Sequence, residues 1–151
     1  MTRKAIPTRD EFSFFRPVQL RWGDFDLLGH LNNVQYVRFY ELLVVEFVGA
    51  ECGVSWSEGP VVPFAAENSC RFIRPINPGP LGPVDGSLDG ALRIEHIGTS
   101  SVRYAMALFE PGADEAAAAG EWVHVWVDRA SNRPVAMPDQ ARAAYQRHLR
   151  T

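Results

Sequence analysis

Lysine is nearly missing from this chain: Lys4 is the only one, and arginine carries the rest of the positive charge. The formal net charge is −3, and the arginines are scattered instead of striped. That pattern gives no footprint for nucleic acid, which calls for a clustered basic face. Cysteine is scarce too. Cys52 and Cys70 stand alone, without metal-ligand spacing or a redox motif, and read as reduced, buried thiols of a cytoplasmic protein. No apolar run is long enough to span a bilayer, and Met1-Thr2-Arg3-Lys4 leads into no apolar segment, so no membrane association is expected. Also missing are a Gly-x-Ser-x-Gly elbow, a glycine-rich phosphate loop and a dinucleotide fingerprint, which removes the chemistries built on them. With no internal repeat or break in composition, residues 1–151 are expected to form a single domain, large enough for a real core.

What is present is strong periodicity. Residues 1–11 are mostly polar and charged, and are expected to be a loose arm. Phe14 to Trp22 alternates through Val18, Leu20 and Trp22, as a first strand would. From Val34 to about Ala50, apolar residues at Val37, Tyr40, Leu43, Val44, Phe47 and Val48 recur at helical spacing. Phe39, Leu42 and Val45 widen that stripe, so the helix is expected to be buried on most sides, with Gly49 and Gly53 marking its end. Val61–Ile73 then alternates, placing Val62, Phe64, Ala66, Cys70 and Phe72 on one face and Glu67, Ser69 and Arg71 on the other. Pro75–Pro83 holds four prolines and two glycines and cannot be a central strand. Three further strands are expected at Val84–Ile97, Ser101–Phe109 and Glu121–Asp128, with a tight turn at Gly98-Thr99 and a flexible connection over Pro111–Gly120. A short amphipathic helix starting at Pro138 closes the chain through Ala141, Ala144, Tyr145 and Leu149. One helix followed by a run of strands argues an α+β fold with an antiparallel sheet.

The ionisable residues gather in Arg21-Trp22-Gly23-Asp24-Phe25-Asp26-Leu27-Leu28-Gly29-His30-Leu31-Asn32-Asn33, immediately before the long helix. A helix start presents free N–H groups and suits negative charge. A carboxylate there can act as general base or nucleophile while the amides meet a developing oxyanion. Asp24 and Asp26 also suit turn capping, Asn32 and Asn33 suit helix capping, and His30 suits either a loop-fixing bond or a substrate contact. Asp24, Asp26 and His30 make only a weak metal set, because no second cluster completes a coordination shell. Tyr104, His124 and Trp126 lie on strands and are expected in the core or an interface.

The motif, of the form D-x-D-x-x-G-H-x-N-N-x-x-Y from Asp24 to Tyr36, resembles the opening of the hot-dog-fold acyl-CoA thioesterases, the 4-hydroxybenzoyl-CoA thioesterase-like family. The resemblance implies an antiparallel sheet wrapped around one long buried helix. It also implies hydrolysis of an acyl-CoA thioester to free acid and coenzyme A, with no cofactor. Asp26 falls at the family's catalytic aspartate and the backbone N–H of Asn33 at its carbonyl-polarising amide. His30, Asn32, Tyr36 and Glu41 match recurrent positions that would contact substrate. The branch acting on acyl carrier protein in plants has an Asn two residues after the aspartate, where this chain has Leu28. Glu67 is a further candidate, because another branch takes its catalytic carboxylate from a Glu elsewhere in the subunit, although an outward polar face is the commoner reading of such a residue on an alternating strand. Arg74, in the Arg74-Pro75 pair, is the first candidate for the coenzyme's phosphates, with Arg71 and Arg133 behind it. A homodimer or homotetramer, with sites at the subunit boundary, is implied. The rivals are an acyl-carrier-protein thioesterase and a non-catalytic acyl-CoA-binding module.

Overall fold

A computed structural model describes residues 3–78 and 86–151. Within them lie β1 (Phe14–Gln19), α1 (Asn33–Glu51), β2 (Val61–Phe72), β3 (Ser87–Ile97), β4 (Ser101–Phe109), β5 (Ala118–Asp128) and α2 (Asp139–Arg147). The five strands form one antiparallel sheet in the order β1-β3-β4-β5-β2. Prolines sit in the two edge strands, Pro17 in β1 and Pro63 in β2, where a missing N–H costs no ladder bond on the outer side. One face of the sheet wraps α1, giving the hot-dog arrangement.

Seven α1 side chains are buried at helical spacing: Tyr36, Phe39, Tyr40, Leu43, Val44, Phe47 and Val48. Each contributes roughly 1.5–3 kcal/mol of transfer free energy. The helix approaches the sheet closely because glycines lie beneath it. A Cβ on Gly90 would sit 2.7 Å from Leu43, and one on Gly120 would collide with the Ser69 carbonyl and stand 2.9 Å from the Tyr40 ring. Gly53, at φ +66°, supplies the left-handed residue that ends the helix. The opposite face of α1 is open, however, with Leu42 48% and Val45 37% exposed, contrary to the expected burial on most sides. Five strands curl around one side only, and nothing among the described residues covers the other.

Four further expectations change. Trp22 leaves the first strand for a short 3₁₀ turn, Trp22–Asp24, and is exposed. The alternation expected along β2 breaks at a bulge between Ala65 and Glu67, which puts Phe64 and Phe72 on opposite faces of this edge strand, and both are exposed. β5 begins three residues early, at Ala118, because Ala116–Ala119 pack as small residues inside the sheet instead of forming a flexible link. The N-terminal arm is pinned instead of loose: the Pro7 carbonyl accepts from Ala116 N, Arg71 donates to the Lys4 and Ala5 carbonyls, and Arg9 pairs with Asp89 at 2.8 Å. Phe12 is buried against Phe109. Residues 79–83 of the proline-rich segment lie outside the described residues, as does the expected strand start at Val84.

Beneath α1, Tyr104 shares hydrogen bonds with His124 Nδ1 (3.0 Å) and the Tyr145 hydroxyl (2.9 Å). Tyr104, His124 and Trp126 are all buried, as expected of core residues. Burial pulls the His124 pKa down to about 3, and the partly buried His148 is lowered for the same reason. The imidazole is therefore neutral when folded, while the unfolded chain takes up the proton below about pH 6.5. Stability should consequently fall as pH drops from about 6.5 toward 3. By pH 5 the His124 contribution amounts to about 2 kcal/mol relative to neutral pH. Urea titrations at pH 7.5 and 5 should show this loss, and His124→Gln should remove most of it; an unchanged slope in the variant would refute the assignment.

Candidate active site

Between β1 and α1 the chain folds back on itself as a small hairpin. Phe25 and Leu31 form an isolated antiparallel bridge, and Asp26 N donates to the His30 carbonyl at 3.1 Å. Gly29 N returns to the Asp26 carbonyl at 3.0 Å, and Gly29 takes φ +74°, a conformation glycine adopts without strain. The loop is held from outside by Leu31 N donating to Ile76 O at 2.8 Å. Ile76 itself is buried, so the segment after β2 clamps the motif.

Asp24 turns inward and is 2% exposed. Its carboxylate accepts from Arg21 N at 2.7 Å, while its carbonyl accepts from Asn32 N at 2.8 Å. Asp24 is therefore the structural member of the pair. Asp26 is half-buried. Its Oδ1 accepts from Leu28 N (2.9 Å) and its Oδ2 from Asn32 Nδ2 (3.0 Å). These bonds leave each oxygen a free lone pair, since an ionised carboxylate has about four acceptor sites.

Asn32 is the helix N-cap, and its Oδ1 accepts from Val34 N at 3.0 Å. Gln35 N donates to the Asn32 carbonyl at 3.0 Å. Among the described residues the Asn33 N–H, at the first helical position, donates to no acceptor. It is the free amide left by the cap. One Asn32 side chain thus grips the helix start with its oxygen and Asp26 with its nitrogen. The sequence marks Asn32 as a cap and a substrate contact, but not as the tether of the carboxylate. The only signal is its spacing from Asp26.

The remaining candidates lie variously placed. His30 is half-buried, and its carbonyl fixes the loop while its ring makes no hydrogen bond among the described residues. Leu28 contributes through its backbone N–H whatever its side chain, which is 78% exposed. Tyr36 is buried in this chain: it is 2% exposed, edge-on to Phe72 at 4.9 Å, and burial raises its pKa. Glu41 is exposed on α1, about 12 Å along the axis from Asn33. Glu67 is exposed just beyond the bulge of β2. Arg74 bonds to Glu110 at 3.1 Å and to the Glu115 carbonyl at 2.8 Å, which makes it a strut between β2 and the β4–β5 connection. Arg71 holds the Lys4 and Ala5 carbonyls of the arm (2.9 and 2.7 Å), and Arg133 is exposed in the turn after β5. Trp22, Leu27, Leu28 and Val34 frame the site as exposed apolar side chains. Among the described residues no group of three or more His, Cys, Asp or Glu could hold a metal ion, and no helix is long and apolar enough to cross a membrane.

The sequence profile of the Thioesterase-like superfamily matches residues 20–145, spanning the motif loop, α1, strands β2 to β5 and most of α2. The chain belongs to that superfamily. Among solved structures, the PA5185 protein of Pseudomonas aeruginosa is 35% identical, with a TM-score of 0.89 over 97% of this chain and 99% of that one. A thioesterase-superfamily protein from Jannaschia sp. CCS1 is 22% identical, with a TM-score of 0.74 over 89% of this chain and 81% of its own. Slr0204 of Synechocystis, a 1,4-dihydroxy-2-naphthoyl-CoA thioesterase, shares the fold at 15% identity, with a TM-score of 0.74 over 88% and 95% of the two chains. No curated protein sequence matches. Membership of the superfamily supports thioester hydrolysis as the general activity of this chain.

Proposed function

We propose that the protein is an acyl-CoA thioesterase, with Asp26 as general base or nucleophile and the Asn33 N–H as the carbonyl's partner. The observation that carries this reading is the Asn32 tether. It fixes a half-buried carboxylate beside an unpartnered amide at a helix start, the two groups that thioester hydrolysis needs together. The helix dipole adds to the amide's pull on developing negative charge. The His30 ring, free of other bonds, lines the same loop and positions the acyl group. The acyl preference is tested by a hydrolysis screen over short, long and aromatic acyl-CoAs, each followed by thiol release. The same acyl group on acyl carrier protein separates the two carriers. Binding of every acyl-CoA without release from any would show a non-catalytic module.

The same reading includes assembly as a homodimer or a dimer of dimers. Among the described residues no strand pairs with the outer edge of β2, where Phe64 and Phe72 are exposed. A twelve-residue edge of this kind invites another strand, and the apolar frame around Asp26 needs cover as well. Light scattering at micromolar concentration should give at least twice the chain mass. A monomer mass would remove the boundary site from the mechanism.

A further inference from the structure

A groove of about 380 Å³ runs between β1 and α1. Pro17, Phe39 and Leu42 line it, together with three arginines: Arg16, Arg21 and Arg38. The acid that lines it is Glu46, which pairs with Arg16 at 3.4 Å. Arg21 reaches the buried Asp24 at 3.7 Å yet keeps more than half of its side chain exposed. Arg38 has no carboxylate partner among the described residues; its one hydrogen bond is to Gln35, at 3.4 Å. The groove is therefore cationic on a chain whose net charge is −3. Its size falls within the range of small-molecule sites, and its make-up, apolar residues together with arginines, suits an organic body carrying phosphates.

Its position gives it a use. Arg38 lies about 8 Å along α1 from Asn33, and Glu46 about 20 Å. Arg21 opens the motif loop and is bonded to it through Asp24. A ligand with phosphates in the groove and a long arm directed along α1 toward its start would bring its far end to Asp26 and the Asn33 amide. We infer that this groove binds the nucleotide phosphates of coenzyme A, while the pantetheine arm carries the thioester to the motif loop. The inference rests on the thioesterase reading for its substrate. The roles expected of Arg74 and Arg71 pass to Arg38, Arg21 and Arg16, because the first two are held by carbonyls and Glu110.

Calorimetric titration with coenzyme A and with pantetheine, which lacks every phosphate, tests the site without requiring turnover. Arg38→Glu should weaken coenzyme A by about tenfold or more while shifting pantetheine far less, in line with loss of a charge-assisted bond. Glu46→Gln should move affinity the other way, by a few-fold, a sign that damage to the fold would not produce. In kinetics, the ratio of kcat/KM for an acyl-CoA to that for the matching N-acetylcysteamine thioester should drop about tenfold in Arg38→Glu, through KM. Equal losses for coenzyme A and pantetheine, or none for either, would overturn the groove. Preference for the phosphopantetheine of an acyl carrier protein, with no Arg38 effect on free coenzyme A, would overturn it as well. Arg38-dependent binding of coenzyme A by a protein that hydrolyses no thioester would leave the groove standing and bring down the thioesterase reading alone.

Discussion

Asp26→Asn is expected to lower thioester turnover by at least about a hundredfold, the lower end of what acid–base catalysis contributes. The substitution keeps the shape and removes both basicity and nucleophilicity. Its structural cost is small and identifiable. Both carboxylate oxygens accept bonds, from Leu28 N and Asn32 Nδ2, so an amide must turn one N–H toward a donor. Asn32 cannot rotate to help, because its oxygen is committed to Val34 N. One bond is thereby lost, worth about 1 kcal/mol, or a few degrees in melting temperature for a chain this long. Steady-state kinetics on the best substrate from the acyl-CoA screen, with melting curves alongside, would check both effects. Unchanged turnover would remove Asp26 from the chemistry.

The second large effect concerns an atom of the main chain. Asn33→Ala keeps the amide and should retain much of the activity, because the Asn33 side chain is exposed and the cap belongs to Asn32. Asn33→Pro deletes the N–H alone. Proline is tolerated at the first helical position, and the preceding residue must be extended, which Asn32 already is at φ −65° and ψ 139°. The proline variant should therefore fold and bind a non-hydrolysable acyl-CoA analogue. Its turnover should be about a hundredfold or more below that of the alanine variant, as for loss of one oxyanion donor. Equal activity of the two folded variants would mean that the carbonyl is polarised elsewhere, with the His30 ring the next place to look.

These tests could be designed largely from the sequence because the motif is contiguous. Helical spacing from Val34 onward identifies the buried face of α1, and the strand limits of β4 follow directly from alternation. The misreadings occur where distant residues decide. Ala116–Ala119 reads as a flexible run until the fold shows all four alanines buried. The bulge in β2 shifts every later side chain by one place, which no local pattern announces. The arm is ordered by the Glu110–Ala116 connection, about a hundred residues away, through Arg9 and Pro7. The groove arginines come from a strand, a turn and a helix, so their convergence is a property of the fold and not of any motif.

Asn32 has a consequence for how the site ages under motion and mutation. Because one side chain joins Asp26 to the start of α1, the spacing between the Asp26 carboxylate and the Asn33 amide is set within eight consecutive residues. Thermal drift of the sheet would carry the pair as one rigid piece. Substitutions remote from it can alter stability or substrate range while leaving the reacting geometry untouched. Position 32, by contrast, has almost no freedom to vary. Aspartate there could still cap the helix but would set a second negative charge against Asp26, and serine could cap without reaching it. The residue that performs no chemistry is thus the one with the fewest acceptable replacements.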